Sequence, residues 1–272
     1  MDPVCDTALW TAAVRAVESE RPDRLFHDGY ARKVAGERGF ALLERYAGAA
    51  TAAFVTIRTA YLDRAIIHAV AERGIRQVVF VAAGMDTRPL RLPWPDGVTV
   101  YELDRAELIR AKTSLLPDDR YPPACDRRRV PVDLTGSWAT PLREAGFTAL
   151  APTLWVVEGL LFFLDEQAVR QLLIGIRELS GVDGLLVGDL VSQSTLDNPL
   201  ADRFLKTLAK DGAPWRFGTD QPEDLLAQCG WKVANLLEPG QDGANFGRWP
   251  YLVLPRETPH VPRSFLFTAD AS

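Results

Sequence analysis

The sequence is short of the residues that carry metal, redox and acid-base chemistry: it has three cysteines, three histidines and two methionines in 272 residues. Cys5, Cys125 and Cys229 are odd in number and lack metal-ligand spacing, so neither a disulfide framework nor a metal site is expected. No apolar run reaches the roughly 18 residues of a membrane span. The opening MDPVCDTALW has neither the basic start nor the apolar stretch of a signal peptide, so the expectation is a cytoplasmic protein with no membrane partner. An excess of positive charge is also missing. With 31 Lys and Arg against 36 Asp and Glu, the net charge of −5 offers no broad field for a phosphate backbone, and nucleic acid is not an expected partner. The run Arg127-Arg128-Arg129 reads as a solvated entrance to a strand.

What is present is an ordinary globular composition, 47% hydrophobic and 25% charged. Apolar residues at helical spacing (Leu9, Ala12, Ala13, Ala16, Val17) and a segment from Tyr30 to Tyr46 form a helical preface. A further helix through Arg58, Leu62, Ala65 and Ala69 ends at Gly74. Strands and helices then alternate. The strands are Val78–Val81, 98–104, 128–134, 153–159 and 184–191, with a strongly amphipathic helix capped by Asp165 before the last. Such alternation predicts a doubly wound, mostly parallel α/β sheet. Residues 192–218 read as an insertion. Asp220 and Glu223 have capping-box spacing, and the segments 231–238 and 264–269 read as final strands separated by a long loop. One domain spans 1–272: a helical cap (1–50), a cofactor-binding core (51–191), a lid insertion (192–218), and a C-terminal helix with strands (219–272).

Open α/β sheets bind ligands beyond the carboxyl ends of their strands, so the strand ends are the first places to look. The first ends in Ala82-Ala83-Gly84, where Gly84 lets the backbone approach a ligand. Twenty positions on, Asp104 closes the second strand, and a carboxylate there can accept both hydroxyl hydrogens of a ribose. Asp133-Leu134 closes the third strand and Glu158 the fourth. The glycine turn lacks G-x-G-x-x-G, the pattern that suits a pyrophosphate. S-adenosyl-L-methionine has no phosphate. Converging acids suit its ammonium, sulfonium and ribose, and Arg58 can meet its carboxylate as a bidentate fork.

The segments IRTAYLD (57–63), VFVAAGMDTRPLRLPWP (79–95), YELD (101–104), VPVDL (130–134) and VVEGLLFFL (156–164) resemble those of the leucine carboxyl methyltransferase family, including its bacterial branch of O-methyltransferases assigned to natural-product biosynthesis. The resemblance extends to 20–36 and 247–266 and so covers nearly the whole chain. It implies a Rossmann-like class I methyltransferase fold and S-adenosyl-L-methionine as cofactor. Arg58 would hold the methionyl carboxylate, and Ala83-Gly84 would face the methionyl part. Asp104 would bind the ribose, Asp133 and Leu134 the adenine, and Glu158 would lie near the ammonium. The chain departs from the family in having Phe163 where a tyrosine is common and Gly29 where a proline follows Asp28, so the acceptor does not carry over.

Methyl transfer to an oxygen needs alignment and exclusion of water more than acid-base machinery. A carboxylate acceptor is already ionised at neutral pH, whereas a phenol, with a pKa of about 10, gains from a base. His27, in the cap, is the candidate base for a hydroxyl acceptor. His68 reads as structural and His260 as exposed. Trp215, Phe217, Trp249 and Tyr251 are candidates either for a lid over a flat organic acceptor or for plain core packing. Arg216 and Arg248 are candidates to attract a carboxylate, Arg216 the favoured one, and Phe163 is expected near the acceptor. Two other readings stay open: a nicotinamide-dependent oxidoreductase on a similar sheet, and a non-catalytic relative that binds the cofactor.

Overall fold

In the structure of the protein, a computed structural model that describes residues 3–46 and 50–272, the preface folds as α1 (Pro3–Ser19) and α2 (Ala31–Arg45), followed by α3 (Thr51–Ala71). The part of the cap at 47–49 lies outside the described residues. Gly74, at φ 67°, turns the chain out of the helical region after α3, as its position predicts. Then come β1 (Gln77–Val81), α4 (Arg88–Arg91), β2 (Thr99–Asp104), α5 (Ala106–Leu115), β3 (Asp126–Pro131), α6 (Ala139–Glu144), β4 (Thr153–Val157), a 3₁₀ turn (Leu161–Phe163), α7 (Glu166–Leu179) and β5 (Leu185–Val191). The insertion forms α8 (Gln193–Leu196) and α9 (Pro199–Lys210), and the chain closes with α10 (Pro222–Gln228), β6 (Trp231–Leu237) and β7 (Ser264–Ala271).

One seven-stranded sheet runs in the order β3-β2-β1-β4-β5-β7-β6. The first five strands are parallel, and β7 lies antiparallel between β5 and β6. Strands covered on both faces must be apolar on both, which is why β1 reads as an unbroken apolar run. Val78 and Phe80 pack with Ile57, Leu62 and Ile66 of α3, while Val79 and Val81 face Leu172, Leu173 and Ile176 of α7. Chain order reverses between β1 and β4, which places a crevice at their carboxyl ends.

The cap is pinned over that crevice by charge. Arg15 of α1 donates from Nε to Asp28 at 2.9 Å and from Nη2 to the Met85 carbonyl at 2.7 Å, and Thr87 donates to the same Asp28 carboxylate. From the other side, Arg248 pairs with Glu18 at 3.0 Å.

Three local expectations need correction. Asp165 does cap α7, accepting from the Ala168 N–H, but Asp220 does not cap α10: it accepts from the Ser194 N–H in the first turn of α8, and Gln221 stands at the N-cap of α10 without a side-chain bond. Pro222 in the first turn has no N–H to satisfy, which lessens the need for a cap. The arginine run lies inside β3 rather than before a strand. Arg127 is fully buried beside Glu102, with Lys112 on that carboxylate's other oxygen, because a buried acid in β2 needs counter-charge; Arg128 alone keeps to the surface with Asp126. With β3 ending at Pro131, Asp133 and Leu134 fall in the turn after it. Among the described residues no helix is long and apolar enough to cross a membrane.

Candidate functional site

A cavity of about 1000 Å³ opens at the carboxyl ends of β1 and β4 and is roofed by Thr7, Ala8, Thr11 and Arg15 of α1. Its size is at the upper end of small-molecule sites, which run from about 300 to 1,000 Å³. The turn after β1 forms its floor. Ala82 and Gly84 both have left-handed backbones, at φ 58° and 49°, and a Cβ on Gly84 would point at the Ala8 methyl 3.6 Å away. An alanine held at positive φ is uncommon away from functional turns.

Four N–H groups of this turn are already taken. Ala83 donates to the Leu103 carbonyl, Gly84 to Asp104 Oδ2 at 2.7 Å, Asp86 to the Ala83 carbonyl and Arg88 to the Asp86 carboxylate. A pyrophosphate would need these donors free, so the turn does not suit a dinucleotide. Asp104 instead presents a carboxylate. Its Oδ1 accepts from the Arg105 N–H at 2.7 Å, so each oxygen holds one backbone bond and keeps a lone pair for a ligand hydroxyl. Burial pushes its pKa above the ordinary value, against the pull of those two N–H groups.

Beside the turn, six charges interlock. Arg58 of α3 donates from Nε to Glu158 and from Nη1 to Asp189 of β5, both at 2.9 Å. Arg88 reaches Glu158 at 2.7 Å and also holds Asp86 and, at 2.6 Å, Asp63. Burial pulls the Asp86 carboxyl up, but Arg88 and Lys112 outweigh it and hold it at about 2. Glu158 is likewise held below its usual range, because Arg88 and Arg58 overcome its burial. Asp189 goes the other way, raised by complete burial despite Arg58. Two of the three Arg58 nitrogens are thus spent on the chain's own acids, which leaves less than the full fork expected for a bidentate contact. Nη2 is the donor with no hydrogen bond to a described residue. Gly159, at φ 64°, leaves the room: a Cβ there would sit 3.2 Å from Nη1 and 3.3 Å from Nη2.

Ala83, Gly84, Arg58, Asp104, Asp133, Leu134 and Glu158 all line this one cavity. Asp133 lies at its exposed end, with Oδ1 taken by the Thr135 N–H and hydroxyl and Oδ2 left over. Leu108, Val132 and Leu134 make that end apolar, as a purine needs. Acids without a phosphate cradle, a ribose-type carboxylate, an apolar slot and an open nitrogen on Arg58 fit S-adenosyl-L-methionine.

Other expected site residues separate. Phe163, Trp249 and Tyr251 line the cavity, as does Trp215. Phe217 is core, packed with Leu225 and Leu226. Arg216 is exposed and off the cavity lining, with its backbone N–H donated to the Phe162 carbonyl. Arg248 is tied to the cap. His27 is exposed and off the cavity, because Phe26 and Asp28 on either side take the buried positions. His68 is not structural: it points out of α3 toward Glu72. His260 is exposed, as expected. Sequence reasoning missed Asp86, Arg88 and Asp189, and it missed Trp10 and Phe204 in the cavity wall. The lone acid in the apolar run GLLVGDLV was the available signal for Asp189.

Fold and cavity together define a doubly wound enzyme built for a nucleoside cofactor without phosphates. A family model described as leucine carboxyl methyltransferase matches residues 8–177. A Streptomyces coelicolor protein, provisionally named an S-adenosyl-L-methionine-dependent methyltransferase, is 35% identical over 240 residues, covering 84% of this chain and 83% of its own. A similarly named Parafrankia protein is 40% identical over 183 residues, and there the match spans 64% of this chain and 59% of the relative. Among solved structures, a DUF574 family protein from Streptomyces avermitilis superposes with a TM-score of 0.67 at 15% identity over 98% of this chain and 97% of that one, a likeness of fold. The chain belongs to the leucine carboxyl methyltransferase family. It is an S-adenosyl-L-methionine-dependent methyltransferase.

Proposed function

We propose that this enzyme methylates an oxygen of a small organic acid, with the acceptor's carboxylate as nucleophile, in secondary metabolism. The observation that carries the reading is the chemistry of the cavity wall. Among the described residues no histidine lines it, and the acids at its middle, Asp86, Glu158 and Glu238, are each bonded to an arginine. A wall whose middle acids are all paired, with the unpaired Asp104 and Asp133 at the end proposed for the nucleoside, suits a nucleophile that arrives ionised.

When bound, S-adenosyl-L-methionine supplies an electrophilic methyl group on a sulfonium. Asp104 takes the ribose hydroxyls, Asp133 and Leu134 border the adenine, Arg58 offers Nη2 to the methionyl carboxylate, and the Ala83-Gly84 turn with Glu158 faces the ammonium. Asp189 positions Arg58 and accepts from the Gly159 N–H at 2.7 Å, so one buried acid sets both sides of the methionyl end. The α1 roof excludes water, and the remaining work is alignment.

The test is methyl transfer from labelled cofactor to 2-naphthoic acid and to 2-naphthol across pH 6 to 9. A base-labile methyl ester formed at a rate flat in pH is the expected product. Transfer to 2-naphthol alone, rising with pH, would overturn the carboxylate reading.

A further inference from the structure

Beyond the methionyl end the cavity changes character. From Arg58 its wall continues along α3 through Val55, Phe54 and Thr51 toward a group of rings. Phe162 stacks tilted on Trp215 with centroids 4.3 Å apart, Trp215 meets the edge of Phe204 at 5.4 Å, and Phe204 meets Trp10 at 6.0 Å. Phe163 extends the row at 4.9 Å from Phe162. All five line the cavity. They come from α1, the 3₁₀ turn after β4, α9 and the loop behind it, so the row exists only where insertion meets cap. That contact is fixed by Leu208 of α9, buried among Trp10, Val14, Leu42, Tyr46 and Val55. The Phe162–Phe163 turn begins three residues after Glu158, which puts the rings next to the methyl-donating end and away from the adenine end.

We infer that this row is the acceptor subsite and that it selects a planar aromatic acid over a saturated one of equal size. The inference rests on the small-acid reading above and names the acceptor's body. Aromatic faces and edges attract another ring through their quadrupoles in offset or edge-on contact, a gain that a saturated ring of the same skeleton does not receive. A cavity of about 1000 Å³ also has room for a fused-ring acceptor beside a nucleoside cofactor.

The test uses the full chain saturated with S-adenosyl-L-homocysteine, titrated with 2-naphthoic acid and with decahydro-2-naphthoic acid, and read by tryptophan fluorescence and by calorimetry. The flat acid is expected to bind roughly fivefold to tenfold more tightly. F204L and W215L, which keep apolar bulk but lose the ring, should each shrink that preference while the affinity for S-adenosyl-L-homocysteine stays unchanged. Equal or tighter binding of the saturated acid by the wild-type chain, or a preference that survives in both variants, would overturn the inference. Failure of the carboxylate reading is seen separately: 2-naphthol and its decahydro counterpart would then show the ring preference with the other functional group.

Discussion

The two ends of the cavity are built on opposite principles. At the end proposed for the cofactor, Arg58, Arg88, Glu158 and Asp189 are each held by at least two partners, and Asp86 is held twice by Arg88, through its side chain and its N–H. At the end proposed for the acceptor, rings from the cap, the 3₁₀ turn and the insertion meet through shape alone. The first end is fixed before any ligand arrives, because breaking it would leave buried charge uncompensated. The second can repack around different acceptors, because apolar contacts are individually weak and non-directional. One scaffold can therefore keep its cofactor while its acceptor changes.

The sharpest way to break the comparison is Arg88→Ala. It strips Asp63, Asp86 and Glu158 of their common partner inside the protein, and breaking a buried ion pair typically costs about 3–5 kcal/mol. Urea unfolding should show a loss of that order, whereas a ring truncation at exposed-edge Phe163 should cost far less. Next is Asp104→Ala, which leaves the ionic network intact but removes the carboxylate proposed to accept the ribose hydroxyls. Hydrogen bonds to a charged group contribute about 1.5–3 kcal/mol, so calorimetry should show S-adenosyl-L-homocysteine binding roughly 10- to 100-fold weaker, with a loss in unfolding smaller than that of Arg88→Ala because only the Gly84 and Arg105 N–H groups lose their acceptor.

Acidification separates the same two carboxylate types by sign. Asp86 is held at about 2 against an ordinary 3.8, so its contribution to stability is complete above about pH 4 and is lost as the pH falls toward 2. Asp104 is raised by burial, so its ionised form, the one proposed to accept the ribose, is lost at a higher pH than an ordinary aspartate's. Cofactor affinity should therefore fall on acidification before the fold does. Simultaneous loss of both would mean that Asp104 and the network titrate as one unit.

How much of this was legible in the chain follows the same division. The parallel sheet, its strand ends and the residues gathered there could be read because strand period and turn chemistry are local. Gly84 and Asp104 lie twenty positions apart yet bond directly, as a βαβ unit dictates. The ionic network was not legible, since the partners of Arg58 are 100 and 131 positions away and nothing local signals which acid will take which nitrogen. The ring row was half legible. Trp215 stood out in the insertion, but Trp10 and Phe204 each occupy helix faces that read as ordinary core, and Phe217, two residues from Trp215, points into the sheet packing.

The smallest effect belongs to the cap's histidine. A base for a hydroxyl acceptor must come within about 3 Å of the proton it takes. His27 is exposed on the outer side of the cap segment whose neighbours, Phe26 and Asp28, are buried. Its ring Nε2 lies instead 3.4 Å from where a Cβ on Gly29 would project. Reaching the cavity would require the segment to turn over, which would break the Arg15–Asp28–Thr87 pinning that holds the roof. His27→Ala should therefore leave turnover, its pH dependence and cofactor affinity unchanged. A turnover loss of tenfold or more at unchanged cofactor affinity would show that the cap inverts during the reaction and that the acceptor end, too, carries acid-base chemistry.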